Sequence, residues 1–311
     1  MATDDRHVSL LALLRVKEVN WHFIAREAQR PGGLERLLEG EAAEESQEAR
    51  ETLMLLRAAA REDLAGRRAE VAQMIDAAAA EGAALTTVLD DDYPANLRTI
   101  FNLPPFLFYR GELRDDDARA VAVVGTRKPS AQGIRRARQM ARKLAEHGVT
   151  VLSGLARGID TAAHEACLEA GGRTIAVIGS GIRRVYPPEN GGLAESISLR
   201  GAVVSQFWPD AAPARYTFPL RNVVTSGMGQ GTVVIEATAT SGAKMQARLA
   251  LEHGKKVWLL RSLVDQPWAR RYVEERGAVA VDSVEQIVRD LRTPQEVRER
   301  AHELKQLALA V

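Results

Sequence analysis

The chain has 311 residues, 46% of them hydrophobic, so it is long enough to bury a substantial core in one large or two modest domains. Its 42 basic and 41 acidic residues give a net charge of +1, so a polyanion must be bound by a local cluster of cations. The single Cys167 excludes an internal disulfide and a cysteine-rich zinc site, and no apolar stretch reaches the roughly 18–20 residues of a membrane span, which together predict a cytoplasmic protein without a membrane contact.

Residues 1–84 are predicted to form a small helical domain. Apolar residues recur at 3.6-residue spacing in "SLLALLRV", "WHFIAREAQ" and "LERLLEG", and a long Ala-, Glu- and Arg-rich stretch follows. Residues 85–117 contain prolines and the short aromatic run "FLFY". This second pattern predicts a connector with one brief strand, packed on the next domain.

Residues 118–292 alternate between short β-branched runs and helical patterns. The runs are "AVAVVG", "VTVLSG", "TIAVIG", "AVVSQ", "TVVIEA" and "KVWLLR". Continuous apolar runs are typical of strands buried on both faces of a parallel sheet. The sequence therefore predicts an α/β fold with a Rossmann-like, doubly wound, mostly parallel sheet, preceded by the all-α domain and followed at 293–311 by a helical tail. Ligands of such sheets bind beyond the carboxyl ends of the strands.

Glycine, hydroxyl and basic residues follow the first two of these strands. In the first turn Gly125, Arg127 and Lys128 precede a helix start near Ser130, which suits either a bound phosphate or a simple serine cap. In the second turn, "SGLARGID" at 153–160, an anion could be held by two amides and a guanidinium, or the glycine and aspartate could merely start the next helix. The residues concerned in this second turn are Ser153, Gly154 and Arg157.

Three later segments are predicted to reach the same edge of the sheet. They are "GSGIRRVYPPEN" at 179–190, "FPLRN" at 218–222 and the helix start "SGAK" at 241–244. A basic rim with the rings of Tyr186, Tyr216 and Phe218 interleaved is what single-stranded nucleic acid needs, although Phe218 could equally be a core residue. Arg221 follows a proline, which predicts a guanidinium directed toward a phosphate; the alternative is a structural partner for Glu236 or another buried acid.

These segments, in this order and spacing, resemble the DNA-processing protein A (DprA/Smf) family over roughly residues 85–290. The resemblance implies a single-stranded DNA-binding recombination mediator that protects the strand, forms a homodimer and helps load the RecA recombinase, with no catalysis, no cofactor and no metal. Candidate surface for the dimer is "KVWLL" and Trp268, with burial of both in the core as the alternative. By motif, the implied DNA and phosphate contacts are Gly125, Arg127, Lys128, Ser153, Gly154, Arg157, Gly179, Ser180, Gly181, Arg183, Asn190, Phe218, Arg221, Asn222, Ser241, Gly242 and Lys244.

Several departures from the family pattern indicate a divergent member. The N-terminal region occupies the place of a helix-hairpin-helix-like domain, yet "VKEVNW" lacks its glycine hairpin. Gln206 stands where the family usually has an acid, the turn after the sixth strand lacks its glycines, and residues 293–311 leave no room for a C-terminal winged helix. The biological setting is accordingly open between transformation, phage defence and mobile-element maintenance.

The alternatives are a Rossmann-like nucleotide sensor and an enzyme. "GMGQGTVVIEA" resembles the glutamate motif of the "Lonely guy" phosphoribohydrolases, but Glu236 lies four residues beyond Thr232 instead of three, and Met228 replaces a glycine. His164 and Cys167 share a helix face without an activating partner, and Asp90–Asp92 is better explained as a solvated turn than as a magnesium site.

Overall fold

The computed structural model describes residues 4–309 of the chain. The N-terminal region is helical, as expected, and three of its helices are capped by a preceding polar side chain, Asp4, Asn20 or Ser46. Its helices are α1 (Asp5–Leu14), α2 (Trp21–Ala28), α3 (Gly33–Glu39) and α4 (Gln47–Ala80). The longest of these, α4, is kinked at Asp63, whose backbone leaves the helical region at φ −162° and ψ 67°.

The connector contributes two strands to the sheet, where the sequence predicted one. Strand β1 (Ala84–Thr87) pairs antiparallel with β2 (Phe106–Gly111). Strand β2 in turn pairs antiparallel with the strand Ala202–Ser205 of the following region. The aromatic run of the connector is thus an integral part of the sheet.

The remaining strands run parallel. They are β3 (Ala120–Val124), β4 (Thr150–Ser153), β5 (Thr174–Val177), β6 (Ala202–Ser205), β7 (Gly231–Val234), β8 (Lys256–Leu260) and β9 (Val279–Val281). Within the described residues the sheet has nine strands in the order β1-β2-β6-β5-β4-β3-β7-β8-β9. The predicted mostly parallel α/β sheet is confirmed, each of the six predicted runs coincides with a strand, and β9 is additional.

Helices cover both faces of this sheet. One face carries α5 (Ala131–Glu146), α6 (Ile159–Glu169) and α11 (Val284–Val288). The other carries α7 (Gly191–Arg200), α8 (Thr217–Met228), α9 (Gly242–Glu252) and α10 (Pro267–Glu275), and its apolar core is continuous with that of the N-terminal helices. A final helix, α12 (Pro294–Leu309), follows. None of the helices in residues 4–309 is long and apolar enough to cross a membrane.

The run proposed as dimer surface lies in the core. Trp258 of β8 is 0% exposed and Trp268 of α10 is 8% exposed. Both indoles are therefore used for packing within the chain, which corrects the expectation that they form an apolar surface. The homodimer itself stays a prediction.

Candidate nucleic-acid interface

The order in which strands are added to the sheet changes side at β3, and a cleft lies at that point. From β3 the chain adds β4, β5 and β6 on one side and then β7, β8 and β9 on the other, so the turns after β3 and β7 diverge. Between these turns, the turn after β4 and helix α8 lies a cleft of about 570 Å³. We call it the switch-point cleft. Gly125 and Gly242, two of the contact residues expected from the sequence, line this cleft.

Cations that form no ion pair within residues 4–309 line this cleft or lie next to lining residues in the chain. Arg127 and Arg215 line it, Lys128 follows Arg127 on the exposed turn, and Lys244 lies in the first turn of α9. Within residues 4–309 none of the four forms an ion pair, whereas the acid in the cleft lining, Asp160, is buried. The mouth of the cleft is therefore positively charged although the whole chain is almost neutral.

Aromatic rings stand beside these cations. Phe218 is half-buried, its ring lies 5.8 Å from that of Tyr186, and the guanidinium carbon of Arg127 is 5.1 Å from its centroid. Tyr186 is 41% exposed and Tyr216 is 69% exposed. Phe218 is thus not a buried core residue, and three rings offer faces to solvent or to the cleft.

The turn after β4 is stabilised by hydrogen bonds from the buried side chains of Ser153 and Asn190. Ser153 is fully buried and its hydroxyl donates to the carbonyl of Val123 at 2.7 Å. Leu155 adopts a left-handed φ of 58°, and Asn190 donates from its amide to the Leu155 carbonyl at 2.8 Å. Since a left-handed leucine is strained, this hydrogen bond stabilises an unfavourable turn. Ser153 and Asn190 therefore build the turn and do not project from it.

Arg221 lies at the floor of the cleft, under the same turn. Its side chain is 7% exposed, and Nη1 donates to the carbonyls of Gly154 at 2.5 Å and Val177 at 2.7 Å. Its Nε donates to Asn222 Oδ1 at 3.1 Å. This placement corrects the expectation of a guanidinium directed outward from the rim. The reason is that Pro219 lies in the first turn of α8, where proline is tolerated, so the helix continues and turns Arg221 inward.

The N-terminus of α5 already has a carboxylate. Glu236 accepts from the Ser130 backbone amide at 3.0 Å and from its hydroxyl at 2.7 Å, while Ser130 caps the amide of Gly133. A phosphate at this helix end would have to displace Glu236. A phosphoribohydrolase would need the Glu236 carboxylate for catalysis. Because this carboxylate is already hydrogen-bonded to Ser130, the structure disfavours that alternative.

Two predicted arginines are neutralised by neighbouring acids. Arg157 is exposed and pairs with Glu189. Arg183 donates from Nε to Glu81 at 2.8 Å and from Nη1 to Asp210 at 3.1 Å. The accompanying Gly179–Gly181 turn is buried; its Ser180 hydroxyl donates to the Arg184 carbonyl, so it too is structural.

The other reactive candidates are also engaged in structure. His164 is fully buried with Nδ1 2.7 Å from the Thr174 hydroxyl, and burial lowers its pKa to about 3. Burial raises the pKa of Cys167 to about 12, so the thiol is unreactive. Asp90 accepts from His7 and from Thr87, and in residues 4–309 no cluster of acids, histidines or cysteines could hold a metal.

Sequence reasoning did not assign Arg215 to the site, although it named Tyr186 and Tyr216 among the rings of the basic rim. All three are exposed next to the cleft or to Phe218. The available signal was the pair "RY" shortly before "FP", which becomes visible as a site only when α8 is known to start there.

Comparison with known proteins agrees with this architecture. The family described as "DNA recombination-mediator protein A" matches residues 84–292. The chain belongs to this family. Among curated relatives of the DprA family, Protein Smf of Escherichia coli is 39% identical over 203 residues, 64% of this chain and 54% of that protein. DprA of Streptococcus pneumoniae is 40% identical over 174 residues, 56% of this chain and 61% of that protein. The alignments thus span only about half to three-fifths of these DprA relatives.

Solved DprA structures share the fold. The X-ray structure of S. pneumoniae DprA has a TM-score of 0.71 and 29% identity, covering 94% of this chain and 99% of that chain. A structure of Helicobacter pylori DprA, described for the single-stranded DNA binding mode of that protein, has a TM-score of 0.59 at 24% identity and covers 66% of this chain and 94% of that chain. The second likeness is one of fold alone.

Proposed function

We propose that this protein binds single-stranded DNA in the switch-point cleft and acts as a recombination mediator. The observation that carries the proposal is that Arg127 and Arg215 line the cleft without an ion pair, beside the rings of Phe218 and Tyr186. Membership of the recombination-mediator family supports it, as does the description of the H. pylori relative as a protein that binds single-stranded DNA.

The chemistry of the site favours a single strand over a duplex. Arg127, Lys128, Arg215 and Lys244 provide charges for backbone phosphates, and the ring of Phe218 provides a face for a base. In a duplex the base faces are stacked on each other and cannot reach such a ring. Binding of this kind makes and breaks no bond, so we propose no catalytic role, cofactor or metal.

The finer role is proposed from the family. As a mediator, the protein would protect single strands, form a homodimer and assist loading of RecA. A strand-exchange assay on DNA covered by single-strand-binding protein tests this role: the protein should restore RecA-dependent product. Absence of stimulation, with DNA binding intact, would reject the mediator role and leave the binding function.

The binding function is tested by fluorescence anisotropy with single-stranded and duplex oligonucleotides across salt. At about −0.7 per neutralised phosphate, three to four contacts give a log–log slope of roughly −2 to −3. Arg127→Gln and Arg215→Gln should each weaken binding and make the slope shallower by about 0.7, whereas Arg50→Gln, an exposed arginine on α4, should not. Equal affinity for duplex would contradict the proposed preference for a single strand. Displacement of the strand by millimolar nucleoside monophosphate would contradict the proposal and favour a nucleotide sensor.

A further inference from the structure

We propose that the N-terminal helices position the DNA site by fixing the conformation of residues 206–216. This stretch, here called the entry segment, joins β6 to α8 and carries Arg215, near its end, at the cleft. The inference rests on the proposed function for its binding readout. It also assigns Arg183 a positioning role in place of the DNA contact expected from the sequence.

The first attachment is aromatic. Trp208 of the entry segment packs edge-on against Trp21 of α2, with ring centroids 5.7 Å apart, and lies 4.9 Å from Phe106 of β2. The guanidinium of Arg15, at the end of α1, stands 5.3 Å from the Trp208 ring. The helical region and the connector thus enclose the one indole that the entry segment carries.

The second attachment is ionic. Glu81, at the C-terminus of α4, and Asp210 of the entry segment both bind the guanidinium of Arg183. Arg183 follows β5, so this cluster joins three separate parts of the chain. Arg110 adds to it with a 3.8 Å contact to Glu81. Because Arg183 is 29% exposed and has two acid partners, it contributes little free charge to the cleft.

The backbone completes the attachment. The Gly181 amide donates to the Ala211 carbonyl at 2.8 Å, and the Arg183 amide donates to the Pro209 carbonyl at 3.1 Å. A Cβ on Gly181 would lie 2.2 Å from the Pro209 oxygen, which explains the glycine by close packing instead of by ligand access. Downstream, the Thr217 hydroxyl donates to the Gly179 carbonyl at 2.5 Å. Arg215 therefore sits on a short span between two fixed points.

A positioning role and a direct phosphate contact predict opposite effects of Glu81→Gln. If Arg183 contacts DNA, removing the acid frees its charge, so the strand should bind more tightly and with a steeper salt slope. If Arg183 positions the entry segment, the same change loosens Arg215 and Phe218, so binding should weaken with an unchanged slope. Glu81 lies outside the cleft lining, so the substitution leaves the proposed DNA contacts in place.

The experiment measures tryptic cleavage after Arg215 without DNA, then affinity for a single-stranded oligonucleotide across salt. Glu81→Gln, Arg183→Gln and Trp208→Phe should each speed cleavage several-fold and weaken binding about three- to tenfold at unchanged salt slope. The double variant Glu81→Gln/Arg183→Gln should be no weaker than either single variant. The matched control is Asp282→Asn, which removes the exposed Arg261–Asp282 ion pair far along the chain and should change neither quantity.

Tighter binding by Glu81→Gln, or faster cleavage with unchanged affinity, would overturn the inference. So would unchanged cleavage in all three variants while circular dichroism shows them folded. Failure of the wild-type protein to bind any single strand would reject the proposed function itself. The cleavage rates would still decide whether the helices hold the entry segment.

Discussion

Arg221 and Asp160 hold opposite sides of the same residue, Gly154. The Asp160 carboxylate accepts from the Gly154 amide at 3.1 Å, and Arg221 donates to the Gly154 carbonyl at 2.5 Å. Burial raises the pKa of Asp160 and lowers the pKa of Arg221, and each charge opposes the shift of the other. The turn that forms the floor of the cleft is therefore fixed by two buried charges that depend on each other.

Arg221→Ala should lower the melting temperature markedly. The substitution leaves Asp160 buried without its compensating charge and removes a donor from two carbonyls, a loss on the order of 3 kcal/mol. Arg127→Ala, on the surface, should leave the melting temperature nearly unchanged. A thermal melt and a DNA-binding titration across salt decide between the two roles. An unchanged melting temperature for Arg221→Ala, with a salt slope of binding that is shallower by about 0.7, would instead identify Arg221 as a phosphate contact.

Gly154→Ala should destabilise the protein, whereas Gly242→Ala should be tolerated. A Cβ on Gly154 would lie 2.0 Å from Arg221 Nη1, which cannot move without breaking its hydrogen bonds. Apart from its chain neighbours and its own helix backbone, no atom of residues 4–309 lies within 4 Å of a Cβ on Gly242. Urea titration of both variants checks this: equal midpoints would show that the floor of the cleft adapts.

Stability should fall as the pH drops from about 6.5 toward 4, and His253 should account for part of the loss. Burial, aided by Lys255, lowers the pKa of His253 to about 4. Its ring lies 2.9 Å from the Ser226 hydroxyl and 2.8 Å from Asn102 Oδ1; since Oδ1 can only accept, Nε2 carries the proton. The unfolded state binds the extra proton first, so the stabilisation is complete above pH 6.5 and is lost as the pH falls through the folded pKa.

His253→Gln removes this titrating group and should flatten the pH dependence of unfolding between pH 4 and 6.5. Chemical denaturation at half-unit pH steps gives the slopes for both proteins. Parallel slopes would show that other groups, such as the carboxylates that pair with arginines, account for the whole acid effect.

Glu236→Gln should cost about 0.5–1 kcal/mol of stability, because it removes a charged acceptor from the N-terminus of α5. The wild-type protein, incubated with nucleoside monophosphates, should release no free base above the background. Base release that Glu236→Gln abolishes would restore the phosphoribohydrolase alternative.

The sequence predicted the sheet well because a strand buried on both faces is a continuous apolar run that can be recognised locally. Strand β3, in which every residue is buried, is an example. It predicted the cleft through the glycine turns, whose location beyond strand ends is a rule of the fold. It could not separate Arg127 from Arg221, since both follow a small or rigid residue in a segment that was predicted to reach the same edge of the sheet. Only the start of α8 determines that one faces solvent and the other the core. Likewise, nothing local marks Glu81 and Asp210 as partners of Arg183, because the three are joined only by tertiary packing.

The pairing of β2 with β6 determines how the protein can be divided. In a fragment that starts at residue 118, β6 would lose its antiparallel neighbour, and the register from Phe108 opposite Ser205 to Gly111 opposite Ala202 would be open. An uncovered apolar edge strand of this kind recruits other chains. Such a fragment should elute as aggregates in gel filtration, whereas one that starts at residue 84 keeps both connector strands on this edge of the sheet.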